Sequence, residues 1–332
     1  MKNLQDATER ICELKGSLVA LDSVVPALLR QLDHDQRRQA RASVESLAEA
    51  ARTVMLHADI SDVVLGAFER DIGRYLGLLA DRPAPDASQP MDDGLPLTTV
   101  RIRTWRESAM QSEASGFFFS RDTHLFIATS RHVLLDAETG HFPDRIEIDL
   151  HTDTRDLTQV LVWSIPLYAD GRSLWREATD TGGAVDVAVI EVATERLPPA
   201  VVIRSFTPAH LEARGEQVAM GDPLTIVGFP LGFHDTVHHL AVARSASIAS
   251  AYGVRFQAKG YFLTDARTHR GSSGAPVLRH RTQSAADGLP WQLLGVHSTR
   301  MDMRTRDAAH DESLGLNCAW YADVLLALTQ PG

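Results

Sequence analysis

The stretch Gly271-Ser272-Ser273-Gly274-Ala275-Pro276-Val277 decides how this chain reads. It has the form G-x-S-G-x-P and follows an apolar run, Tyr261-Phe262-Leu263-Thr264-Asp265-Ala266. A serine hydroxyl is a poor nucleophile until a base removes its proton. The oxyanion formed by its attack needs backbone N–H groups aimed at one point. Gly271 lets the backbone turn back so that its own N–H and that of Ser273 face inward together, which is awkward for residues with a Cβ. Gly274 leaves room beside the serine, and Pro276 stiffens the exit into the next strand. Taken alone, the segment also reads as a Gly-Ser turn between two strands.

Three further stretches bear on that choice. Ser115-Gly116-Phe117-Phe118-Phe119-Ser120 precedes Leu125-Phe126-Ile127-Ala128-Thr129-Ser130-Arg131-His132-Val133-Leu134, a glycine-led strand and a second strand ending in T-x-x-H-V. Ala184-Val185-Asp186-Val187-Ala188-Val189-Ile190-Glu191-Val192 is an apolar β run opened by an aspartate. Gly221-Asp222-Pro223-Leu224-Thr225-Ile226-Val227-Gly228-Phe229-Pro230-Leu231-Gly232 reads as a strand and a turn. Together with the serine loop, these motifs resemble chymotrypsin-fold serine proteases, in particular the HtrA-like trypsin-like peptidases, over about residues 96 to 330.

The resemblance implies a mostly β architecture: two six-stranded antiparallel β-barrels with a cleft between them. It implies a triad of His132, Asp186 and Ser273, in the chain order of that fold and not of subtilisins or α/β-hydrolases. Gly271 and Ser273 would supply the oxyanion-hole N–H groups. Arg270 stands where proline is usual and Ser272 where asparagine is common, so the loops depart from the pattern. The primary pocket would be walled by Arg267, Thr268 and the strand Gly295-Val296-His297-Ser298. A hydroxyl and an imidazole can both donate to a carboxylate or amide oxygen, which favours Glu, Asp or Gln before the scissile bond. A small aliphatic residue is the other reading, with Arg267 in water and His297 in the core.

Composition narrows the partners. The formal net charge of -10 over 332 residues opposes nucleic acid and anionic membranes. The N-terminus is polar, and neither a signal peptide nor a membrane span is legible. The two cysteines, Cys12 and Cys318, suggest no disulfide framework. A cytoplasmic enzyme acting on protein or peptide substrates is expected, with no cofactor and no metal. His234, His238 and His239 read as a solvated loop rather than a zinc site, because the preceding Gly-Phe-Pro turn disfavours a helix.

Residues 1–80 carry apolar residues at helical spacing and predict a small all-α bundle. A second helix in it holds Ala40, Val44, Leu47, Ala51 and Val54 on one face. Residues 81–95, rich in proline and aspartate, read as a linker to a protease domain at 96–332. The bundle contributes nothing to the chemistry, so it reads as a docking or regulatory module for a protein partner. A catalytically idle scaffold of the same fold is the competing reading.

Overall fold

The computed structural model of the protein describes residues 34–56, isolated positions between 10 and 79, and 94–330 apart from 212–216, 282–287 and 303–312. The chain divides into two compact units, Met1–Ala87 and Ser88–Gly332.

In the first unit, helix α1 spans His34–Leu56. Ala48 is buried and Ala40, Val44, Ala51 and Met55 are half-buried, a seam at spacings of three and four. Leu47 and Val54 are exposed, which corrects the expected face by one position along the helix. The first and third expected helices and most of the linker lie outside the described residues.

The second unit is mostly β. Its first body is an antiparallel sheet of β1 (Thr99–Arg106), β2 (Ala109–Arg121), β3 (His124–Thr129), β4 (Arg145–His151), β5 (Val160–Pro166), β8 (Trp175–Asp180) and β9 (Gly183–Val192). A small hairpin, β6 (Tyr168–Ala169) and β7 (Arg172–Ser173), interrupts the run. The strand order is β5-β4-β1-β2-β3-β9-β8, seven strands where six were expected. The Leu174 N–H donates to the Leu167 carbonyl (2.9 Å) and extends the β6–β7 hairpin by one rung.

The second body has six strands: β10 (Pro223–Gly228), β11 (Val242–Ser247), β12 (Tyr261–Thr264), β13 (Pro276–His280), β14 (Trp291–Asp302) and β15 (Ser313–Tyr321). Their order is β11-β10-β13-β14-β15-β12, and an Ile248–Thr264 bridge joins the two edges. The short helix α2 (Arg131–Leu134) follows β3, and α3 (Val324–Leu328) follows β15.

The triplet Phe117-Phe118-Phe119 shows how the bodies join. Successive strand residues face opposite sides of a sheet. Phe118 packs inside the first body with Ile102, Ile127, Ile146 and Ile190. Phe117 and Phe119 pack the other way, with Val187, Val227, Leu278 and Val296, in a core shared by both bodies. A strand covered on both faces reads as a continuous apolar run. The β9 run behaves alike, with Val185, Val187 and Val189 on the shared core and Ala188 and Ile190 inside. The two bodies are thus held by sheets that cannot slide without exposing phenylalanines, each worth about 1.5–3 kcal/mol buried.

Candidate active site

His132 lies in α2, the single helical turn that follows β3. Its ring is held by one carboxylate used twice: Nδ1 lies 2.7 Å from Asp186 Oδ2, and its backbone N–H donates to Asp186 Oδ1 at 2.9 Å. Asp186 sits inside β9, which begins at Gly183, and not at its mouth as the sequence suggested. Between Glu177–Ala188 and Thr179–Ala184 the register slips, so Val185-Asp186-Val187 faces a single residue, Ala178. Val185 and Val187 still turn to the shared core, so Asp186 between them keeps the opposite face of the strand.

Burial works against a charge on His132, but the Asp186 hydrogen bond and charge, with a smaller pull from Asp136, outweigh it and raise the ring above the ordinary histidine value. The Ser298 hydroxyl also donates to Asp186 Oδ2 (2.5 Å). Ser298 was read only as cleft lining, because a lone serine late in a strand carries no sequence signal for this contact.

Ser273 lies on the loop before β13. Gly271 has φ +90 and a Cβ there would stand 2.4 Å from the Phe229 carbonyl oxygen, so the residue is confined to glycine. Gly274, φ +84, is closed in by the Ser115 carbonyl and the Thr129 hydroxyl, both 2.2 Å from an added Cβ. Ser115 fastens this loop to the first body. Its N–H donates to the Ser273 carbonyl (2.9 Å), and its hydroxyl donates to the Gly271 carbonyl (2.7 Å) while accepting from the Phe229 N–H (3.0 Å). Sequence reading saw Ser115 only as part of a strand. The Gly271 and Ser273 N–H groups find no acceptor among the described residues. The Ser273 hydroxyl donates to the Ser298 carbonyl at 3.0 Å, not to the His132 ring. Hydrogen bonds through Ser298 and Ser115 thus link His132, Asp186, Ser273 and Gly271.

The pocket residues are placed differently from one another. Thr268 is buried and its hydroxyl donates to Asn317 Oδ1 (2.6 Å). That direction is fixed because Asn317 Nδ2 donates to the Ala266 carbonyl (2.6 Å). Its one hydrogen is therefore spent within the protein. His297 is 2% exposed, and its Nδ1 has no partner. Burial, helped by the charge on His132, pushes it down to about 4, so it is neutral at pH 7. Arg267 is exposed. His234 and His239 do not form the solvated loop expected of them: both are partly buried against Arg101 and Asp149.

The profile of the trypsin-like peptidase domain family matches residues 114–285, a little over half of the chain, and the protein belongs to that family. A search of curated sequences finds no match. Among solved structures, the chain is similar to the serine endoprotease from Yersinia pestis (15% identity, TM-score 0.42), covering 72% of this chain and 65% of that one. It is similar to an HtrA-type protease, AlgW with tripeptide (14%, TM-score 0.42; 72% and 62% covered). It is also similar to the inactive form of Rv3671c from M. tuberculosis H37Rv (18%, TM-score 0.38; 75% and 97% covered). The chain spans less than two thirds of the length of the first two. Among the described residues, no helix is long and apolar enough to cross a membrane.

Proposed function

We propose that the protein is a serine endopeptidase working through an acyl-enzyme. The observation that carries this reading is the double hold of Asp186 on His132, beside a serine loop whose two N–H groups are unspent. Ser273 attacks the scissile carbonyl, and His132 takes its proton and then gives it to the leaving amine. Asp186 fixes the ring with its proton on Nδ1 and stabilises the imidazolium. The Gly271 and Ser273 N–H groups receive the oxyanion. The hydroxyl turns from the Ser298 carbonyl to the His132 ring as substrate enters, in keeping with catalytic hydrogen bonds that tighten only in the complex. A fluorophosphonate probe tests the reading: it labels wild type on Ser273 and leaves Ser273→Ala unlabelled. Equal labelling of the two refutes it.

The same hydroxyl contact favours a second reading, a resting protease or idle scaffold that works through residues 1–80. In the resting version a protein partner of that unit switches the enzyme on. A chain starting near Gly94 then differs from the full protein in basal turnover, and identical kinetics with and without candidate partners remove the regulatory role.

A further inference from the structure

The segment that leaves β10 is held at both ends. At one end the Leu231 N–H donates to the Arg270 carbonyl (2.5 Å), which shares its peptide group with the Gly271 N–H. Leu231 has φ +55, a conformation that costs a leucine about 1 kcal/mol or more and persists only when its surroundings impose it.

The other end supplies the constraint. His234 Nδ1 lies 2.5 Å from the Gly232 carbonyl oxygen, and its Nε2 lies 3.2 Å from Arg101 Nη1 on β1. A guanidinium only donates. Nε2 is therefore the acceptor, and the ring proton sits on Nδ1 and is given to Gly232. Arg101 is itself seated on Asp149 of β4 (3.0 Å). Asp149 also takes Arg103 Nη2 (2.8 Å) and faces His239 Nδ1 (3.4 Å). Burial alone would raise Asp149, but His239 and the two arginines draw it far below the carboxylate range, so it stays charged. Among the described residues, the other charged or titratable groups at this face are Glu113 of β2, 3.9 Å from Arg101, Glu147 of β4, 4.0 Å from Arg103, and His151 of β4, on the His238 carbonyl. His238 itself pairs with Asp235 (2.5 Å).

We propose that Arg101 and His234, seated on Asp149, are positioning residues for the oxyanion donors, and that they act only while His234 is neutral. The proposal rests on the serine protease reading. His234 fixes the Gly232 carbonyl, the turn fixes the Leu231 N–H, and that N–H fixes the Arg270–Gly271 peptide, whose own N–H has no acceptor among the described residues. A second ring proton would put an N–H against the Arg101 guanidinium and break this chain of contacts.

The sign follows. Burial, Arg101 and His239 lower His234 against the opposing pull of Gly232 and Asp149. The contacts are complete above pH ~6.5 and are lost as pH falls through that depressed value. His132, raised, has already taken its proton by then. On the acid side, log kcat/KM then falls with slope 1 as His132 protonates, and steepens beyond slope 1 over the further pH range in which His234 follows.

Full-length wild type, His234→Ala and His234→Asn are compared by fluorophosphonate labelling rate and by peptide kcat and KM from pH ~4 to ~8. His234→Ala is expected to lose about tenfold or more in labelling and kcat, with KM little changed, as for a misplaced oxyanion donor. His234→Asn keeps an N–H for Gly232 but cannot protonate. It recovers most of the neutral-pH rate, and its acid limb keeps slope 1. If His234→Ala is unfolded by thermal melting, the Asn variant decides alone. Wild-type rates in His234→Ala, or the wild-type steepening retained in His234→Asn, overturn the positioning role. A wild type that never labels fails differently: it removes the serine reading and this role with it.

Discussion

The Ser298 hydroxyl donates to Asp186 Oδ2 at 2.5 Å, on the oxygen that also meets His132 Nδ1 at 2.7 Å. Meanwhile the Ser298 carbonyl receives the Ser273 hydroxyl. One residue therefore touches both ends of the proposed triad. A hydrogen bond to a charged group is worth about 1.5–3 kcal/mol, part of which water restores at the half-buried Asp186. Ser298→Ala is expected to lower kcat/KM about tenfold, the effect of ~1.4 kcal/mol at the transition state. Unchanged steady-state kinetics would contradict a role for this contact.

The His132–Asp186 pair sets the pH behaviour. A ring raised above its unfolded value stabilises the fold fully below pH ~6.5 and loses that contribution as pH rises through the raised value. The unfolding free-energy gap between wild type and His132→Gln is therefore larger at about pH 5.5 than at about pH 9. Denaturant titrations at the two pH values check this, and a gap that grows with pH contradicts it. Asp186→Asn moves the acid limb of kcat/KM to lower pH and cuts kcat by about 10⁴, the scale for losing the correct tautomer.

Gly274 is the tightest point of the serine loop. An alanine there would press its Cβ on the Ser115 carbonyl and the Thr129 hydroxyl at a φ of +84. Gly274→Ala is expected to cost roughly 2–4 kcal/mol, since both backbone strain and a clash apply. Thermal or denaturant unfolding reads the loss. A variant within about 0.5 kcal/mol of wild type would show that the loop relaxes freely.

Substrate preference turns on His297. Thr268 has no hydrogen left to donate, which leaves a neutral, partnerless imidazole as the buried donor of the pocket. In a panel varying only the residue before the scissile bond, Gln and Glu are expected to exceed Lys and Arg. His297→Ala is expected to remove that polar preference by about tenfold while sparing Val and Ala. Preference for Val, Ala or Leu in both proteins would assign a small aliphatic pocket instead.

Much of this was legible in the residues. The G-x-S-G-x-P loop needs its glycines for reasons of backbone space alone, so it announces itself. The T-x-x-H-V and aspartate-bearing β runs carry the order of the fold. The seventh strand of the first body was not legible, because β8, Trp175-Arg176-Glu177-Ala178-Thr179-Asp180, is mostly polar and reads as a loop beside the apolar run of β9. Nor was the bulge at Asp186, a register slip that depends on which strand lies opposite. Ser115, Ser298 and the Asp149–Arg101–His234 contacts join residues far apart in the chain. Each reads locally as an ordinary strand or loop residue, and only the packing of two bodies brings them together.

The central claim is that Ser273 is the nucleophile of a peptide-bond hydrolase, and turnover of an unfolded protein substrate tests it most directly. Wild type and Ser273→Ala, matched for folding by thermal melting, are incubated with the substrate and product peptides are counted over time. The account predicts cleavage by wild type and a loss of about 10³–10⁶ in the variant, the range found when an acyl-enzyme nucleophile is removed. Equal cleavage by the two proteins, or none by wild type with every candidate partner supplied, would contradict it.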